Sequence, residues 1–150
     1  MTKIWTHITW SPKGKCIGSG YNEALTQHDD NDWLAVIDHD AMFTTGNWYQ
    51  QMQQVIQEHP KCKGLTGRVN RMATQEQMIL GIDPNNMDYA YHRRVGDYLS
   101  KKYYGQSNCI TTPGHFSGTF FAVHIGTMRK LGGFEETGHQ LACDNALQAA

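Results

Sequence analysis

The sequence has no paired cysteines: Cys16, Cys62, Cys109 and Cys143 are scattered along 150 residues without a CxxC. Spacing therefore suggests neither a structural zinc site nor a redox dithiol, and the four are expected to be reduced, mostly packing residues. Neither sign of charge prevails, since 13 Lys and Arg face 14 Asp and Glu for a net charge of -1. Such a balance leaves no footprint for nucleic acid or an anionic membrane, so an anionic ligand has to be held locally. No apolar run approaches the roughly 20 residues that cross a bilayer. The opening MTKIWTHITW also lacks the basic segment and apolar core of a signal peptide, and a cytoplasmic location without a transmembrane segment is the expectation. The eight histidines form neither HExxH nor HxH, and all but His39, which lies between Asp38 and Asp40, are read as surface or satisfied core residues. Repeats, low-complexity tracts and linkers are missing too. With 39% hydrophobic and 11% aromatic residues, that leaves one compact domain over residues 1–150.

What is present is an alternation of strand and helix patterns. Ile4, Thr6, Ile8 and Trp10 alternate with Trp5, His7 and Thr9 and predict a first strand, broken by Pro12 and Gly14. Residues 18–25 predict a helix capped by Ser19, with Tyr21, Ala24, Leu25 and His28 as its buried stripe. Polar residues 29–32 then form a loop. The run Trp33, Leu34, Ala35, Val36, Ile37 is too short for a good helix and predicts a strand covered on both faces. Trp48, Met52, Val55 and Ile56 line one side of a helix stopped by Pro60, and Leu65, Gly67 and Val69 suggest a further strand. A covering helix is expected over residues 86–104, a strand over 118–123, a short helix over 127–131 ended by Gly132 and Gly133, and a last helix over 141–150. This order predicts an α/β layered domain with a largely parallel central sheet flanked by helices.

The chemistry concentrates at Asp38, His39 and Asp40. On an extended backbone, side chains two residues apart share a side, so Asp38 and Asp40 would converge while His39 turns away. Open α/β sheets bind ligands outside the carboxyl ends of their strands, and these acids follow a buried strand. Two close carboxylates favour a hard divalent cation, Mg²⁺ or Mn²⁺, which commonly completes its shell with substrate phosphates. A diphosphate substrate is the expectation. The bland alternative is a strand-ending turn, because Asp favours turns.

The run IGSGYNEALTQHDDNDWLAVIDHDAMFTTGNWYQQM, residues 17–52, resembles the segment of family 2 type glycosyltransferases of GT-A fold that carries a helix, a buried strand and an AspxAsp motif. HFSGTFFAVHIGTMRKLGGFEE, residues 115–136, is similar to the same family's later strand and GlyGlyPheAspGlu segment, with Glu135 in place of Asp. The resemblance implies a Rossmann-like nucleotide-diphospho-sugar transferase. It would move a sugar from a nucleotide-diphosphate donor, a UDP-sugar foremost, to a glycan or other acceptor hydroxyl, with inversion following from the resemblance alone. Asp38 and Asp40 would then hold Mn²⁺ or Mg²⁺, with Asp38 also against the nucleotide. Asn22 matches a family position near the nucleotide, Thr9 a backbone contact to it, and Trp10 a stacking surface for the base, against which stands a core tryptophan at a strand end.

An inverting transfer needs a general base. Asp144 matches the second acid of the family's GluAsp pair while Cys143 replaces the first, so Glu135 and Glu136 are the fallback, set against a plain polar turn. The chain departs further from the family in having only seven residues between Trp10 and Gly18, where an additional strand and helix are usual, and in ending at Ala150 before the later metal-ligating His. Arg68 and Arg71 are weak phosphate candidates beside their reading as solvated residues. The mixed residues His92, Arg93, Arg94, Lys101, Lys102, Tyr103 and Tyr104 favour a solvated helix face over an acceptor element. Two alternatives remain: a noncatalytic nucleotide-sugar or glycan binding module of the same fold, and a haloacid dehalogenase type phosphatase. The phosphatase normally has Gly and Thr after the second Asp, where Ala41 and Met42 stand.

Overall fold

The computed structural model describes residues 2–11, 16–71, 77–109 and 117–136. Its organising element is β2 (Trp33–Ile37), all five residues of which are buried. Leu34 and Val36 point to one face of the sheet and Trp33 and Ala35 to the other, so the continuous apolar run serves two cores at once. One core joins Leu34 and Val36 to Tyr21, Ala24 and Leu25 of α1 (Ile17–Thr26), Met128 of α4 (Ile125–Lys130), and Phe134. The other joins Trp33 and Ala35 to Met52, with Trp48, Tyr49 and Ile56 of α2 (Trp48–Glu58) packed alongside. Full burial of an aliphatic side chain such as Leu34 contributes about 1.5–3 kcal/mol.

The sheet has four strands in the order β1-β2-β4-β3. Here β1 is Ile4–Ile8, β3 is Gly64–Thr66 and β4 is Phe120–His124. Strand β1 runs parallel to β2, whereas β4 is antiparallel to both β2 and β3. The expectation of a largely parallel sheet is thereby corrected: the sheet is mixed. Apolar periodicity records which faces are buried and is blind to strand direction. The long connection over residues 67–119 lets β4 start at the end where β2 finishes, with Asp38 N donating to Thr119 O at 3.0 Å.

Element ends differ from the sequence reading for local reasons. Helix α1 starts from Cys16, so Ser19 lies inside the first turn and does not cap it. Asp88 caps α3 (Tyr89–Tyr103) by accepting from Ala90 N at 2.8 Å. Helix α4 starts at Ile125, two residues before its expected start, and is capped by His124, whose Nδ1 accepts from Thr127 N at 3.2 Å. Val69 does not extend β3 but bridges to Met78. Helix α3 lies against the segment that follows β2, close enough that a Cβ added to Gly96 would sit 2.6 Å from Thr44 Cβ. The helix expected over residues 141–150 falls outside the described residues.

Candidate functional site

Strand β2 stops at Ile37, and Asp38 opens a turn closed by Ala41 N donating to Asp38 O at 3.0 Å. The extended backbone expected to align Asp38 with Asp40 is therefore absent. Short polar residues compete for local backbone hydrogen bonds and end the strand at once. Asp38 is half-buried, while His39 and Asp40 are exposed on the turn.

The carboxyl ends of β1 and β2 meet through Thr9. Its backbone N–H donates to Ile37 O at 2.9 Å, and its hydroxyl lies 3.1 Å from Asp38 Oδ1 and 3.3 Å from Ile37 O. The hydroxyl of Tyr21, on α1, is also 3.3 Å away. A hydroxyl has one proton, so Thr9 donates to one of the carbonyl and carboxylate oxygens at a time and can accept from Tyr21. The side chain of Thr9, a residue expected only as a backbone contact to a nucleotide, is what fixes Asp38. Trp10, next along, is 54% exposed, which removes the reading of a core tryptophan.

The following residue of α1 ties in the second resembling segment. Asn22 Nδ2 donates to Phe134 O at 2.9 Å and to Glu136 Oε1 at 2.7 Å, and its Oδ1 accepts from Phe134 N at 2.7 Å. Ser19 donates to the other Glu136 oxygen at 2.7 Å. The close approach depends on Gly133, whose φ of +83° is in the left-handed region and where a Cβ would lie 2.5 Å from Asn22 Oδ1. Phe134 then buries its ring against Tyr21, with centroids 5.1 Å apart. Contacts thus run continuously from Asp38 through Thr9 and Tyr21 to Phe134 and Glu136. The paired glycines, read from sequence only as a helix stop, also signal this docking.

Of the expected acids, Asp38 and Asp40 lie on one turn, Glu136 is anchored to α1, Glu135 is exposed, and Asp144 lies outside the described residues. Among the described residues, no group of three or more His, Cys, Asp or Glu is arranged to hold a metal ion. Two hard carboxylates on a turn still suit an ion that shares its shell with phosphate and water. Arg68 is engaged elsewhere, donating to Met78 O at 2.9 Å. On α3, Lys102 lies over the Tyr98 and Tyr103 rings and Arg93 donates to Tyr89 Oη at 3.3 Å, while His92 Nε2 lies 2.6 Å from Asn86 O and Tyr91 Oη accepts from Asp83 N at 3.0 Å, both just ahead of the helix.

Two features escaped the sequence reading. Asp32, expected in a polar loop, is buried, accepting from Lys3 N at 2.9 Å and from Trp5 Nε1 at 2.8 Å. Burial pushes its carboxyl upward, but these two donors, with the charges of Lys3 and His28, outweigh burial and hold it below the usual carboxylate range. Cys62 and Cys109, expected as packing residues, bring their sulfurs to 3.6 Å near the surface.

No family model, curated protein or solved structure matches the chain. Among the described residues no helix is long and apolar enough to cross a membrane.

Proposed function

We propose that this chain is a metal-dependent glycosyltransferase that binds a nucleotide-diphosphate sugar at the carboxyl ends of β1 and β2. The observation that supports the reading is the contact path from Asp38 to Glu136. It joins the two sequence segments that resemble GT-A enzymes, although Asn22 and Glu136 stand 114 residues apart. Thr9 holds one oxygen of Asp38, and Asp40 supplies further hard oxygen on the exposed turn. Asp38 and Asp40 would hold Mn²⁺ or Mg²⁺, which neutralises charge on the departing nucleoside diphosphate when bound. The exposed ring of Trp10 offers the base a stacking surface. Among the described residues no third His, Cys, Asp or Glu joins them, so the diphosphate and water would complete the shell and the metal would bind together with the nucleotide.

A noncatalytic nucleotide-sugar binding module is the second reading, favoured by one observation. Both oxygens of Glu136 already accept hydrogen bonds, from Ser19 and Asn22, and a carboxylate so engaged is a poor general base. Calorimetry with UDP, with and without Mn²⁺, tests the shared part of both readings. Binding should require the ion and fall at least tenfold in Asp40→Ala; equal binding without metal, or no binding by wild type, sinks both. Sugar transfer or donor hydrolysis across an acceptor panel then separates the enzyme from the module.

A further inference from the structure

The structure brings together two thiols that sequence spacing kept apart. Cys62 follows α2, and Cys109 follows α3, 47 residues later; both lie outside regular elements, and their Sγ atoms are 3.6 Å apart. Cys109 is exposed and Cys62 is partly covered. The two segments are held side by side independently of the sulfurs. His59 Nε2 and Ser107 Oγ are 2.7 Å apart, Ser107 Oγ lies 3.4 Å from Glu58 Oε2, and Cys62 N donates to His59 O at 3.0 Å. A disulfide needs a sulfur separation of about 2.05 Å, so an approach of about 1.5 Å along two irregular segments completes the bond.

We propose that Cys62 and Cys109 form a reversible thiol–disulfide exchange site that reacts with small-molecule disulfides of the glutathione class. The proposal does not rest on the glycosyltransferase reading. Cys109, the accessible member, attacks one sulfur of the small disulfide as its thiolate. That sulfur bonds to Cys109 Sγ, and the other half departs as a thiolate that takes up a proton. Cys62 then attacks Cys109 Sγ, a bond forms between the two protein sulfurs, and the second small thiol leaves with the second proton. The pair thus loses two protons and two electrons, and one small disulfide becomes two thiols. A hydrogen bond with Cys109, together with burial, holds the Cys62 thiol above its usual range against the opposing charge of Lys63, which makes Cys62 the poorer first attacker and leaves it to the intramolecular step. Closing the bond straps the end of α3 to the end of α2. Gly105, just beyond α3, already lies against Gln54 of α2.

The test is alkylation and peptide mapping of the full chain after treatment with oxidised glutathione. Wild type should lose two of its four thiols and yield a peptide joining Cys62 to Cys109, and reduction should restore both. Cys62→Ser should stop as a glutathione adduct on Cys109. Cys109→Ser should react at position 62 at least tenfold more slowly than wild type forms its crosslink. A wild-type chain that keeps both thiols, or pairs either with Cys16 or Cys143, overturns the proposal, as does a folded Cys62→Ser that takes up no glutathione. The wild-type map decides even where a variant fails to fold.

Discussion

Asn22 holds Phe134 by both of its backbone polar groups, its Nδ2 donating to the carbonyl at 2.9 Å and its Oδ1 accepting from the N–H at 2.7 Å. The side chain thereby acts as a strand partner would, satisfying a segment that belongs to no sheet. Its third bond, to Glu136, extends the hold over the next two residues. Asn22→Ala is expected to cost about 2–3 kcal/mol, since it leaves the N–H and C=O of a buried residue unpaired. Urea unfolding checks this, and a change under about 0.5 kcal/mol would refute the role.

Gly133 tests the same junction from the other side. Gly133→Ala adds both the strain of a positive φ and a contact 2.5 Å from Asn22 Oδ1. A loss of about 1–3 kcal/mol is expected. Because both changes break one contact, the double variant with Asn22→Ala should lose clearly less than the sum of the two single losses.

Asp32 makes stability depend on acid. Its carboxyl is held below the ordinary range in the folded chain, so the stabilisation is complete above the unfolded value of about 3.9 and is lost as pH falls through the lower folded value. Asp32→Asn keeps an acceptor for Lys3 N but faces Trp5 Nε1 with a donor or a vacancy, at a cost of about 1.5–3 kcal/mol near neutrality. The gap between wild type and variant should be constant above about pH 5 and narrow below about pH 4. Unfolding midpoints measured across this range decide it; a gap that widened in acid would contradict the sign.

Gly96 seats α3. Alanine is a better helix former by about 1 kcal/mol, yet the new Cβ would lie 2.6 Å from the branched Cβ of Thr44. The overlap should win, giving a net loss of about 1–3 kcal/mol for Gly96→Ala. In a Thr44→Gly background the same substitution should become neutral or favourable. Thermal melts of the four proteins read the cycle.

Asp40 separates binding from folding. It is exposed, so Asp40→Ala should leave stability within about 0.5 kcal/mol of wild type. Under the proposed function it should weaken nucleoside diphosphate binding in Mn²⁺ at least tenfold. Thr9→Val should weaken the same binding more modestly, because it frees Asp38 without removing it.

The sequence by itself determined the burial pattern. Five apolar residues at 33–37 specify a strand covered on both sides, the spacing of Trp48, Met52 and Ile56 specifies a helix face, and two glycines end α4. These are short-range properties, written in side-chain periodicity and in backbone freedom. Tertiary structure decided the direction of β4, the capture of Glu136 by Ser19 and Asn22, the burial of Asp32 beneath Trp5, and the meeting of Cys62 with Cys109. Each joins groups at least 27 residues apart in the chain. Periodicity states which face of an element is hidden, and only the packing of all the elements together states what hides it.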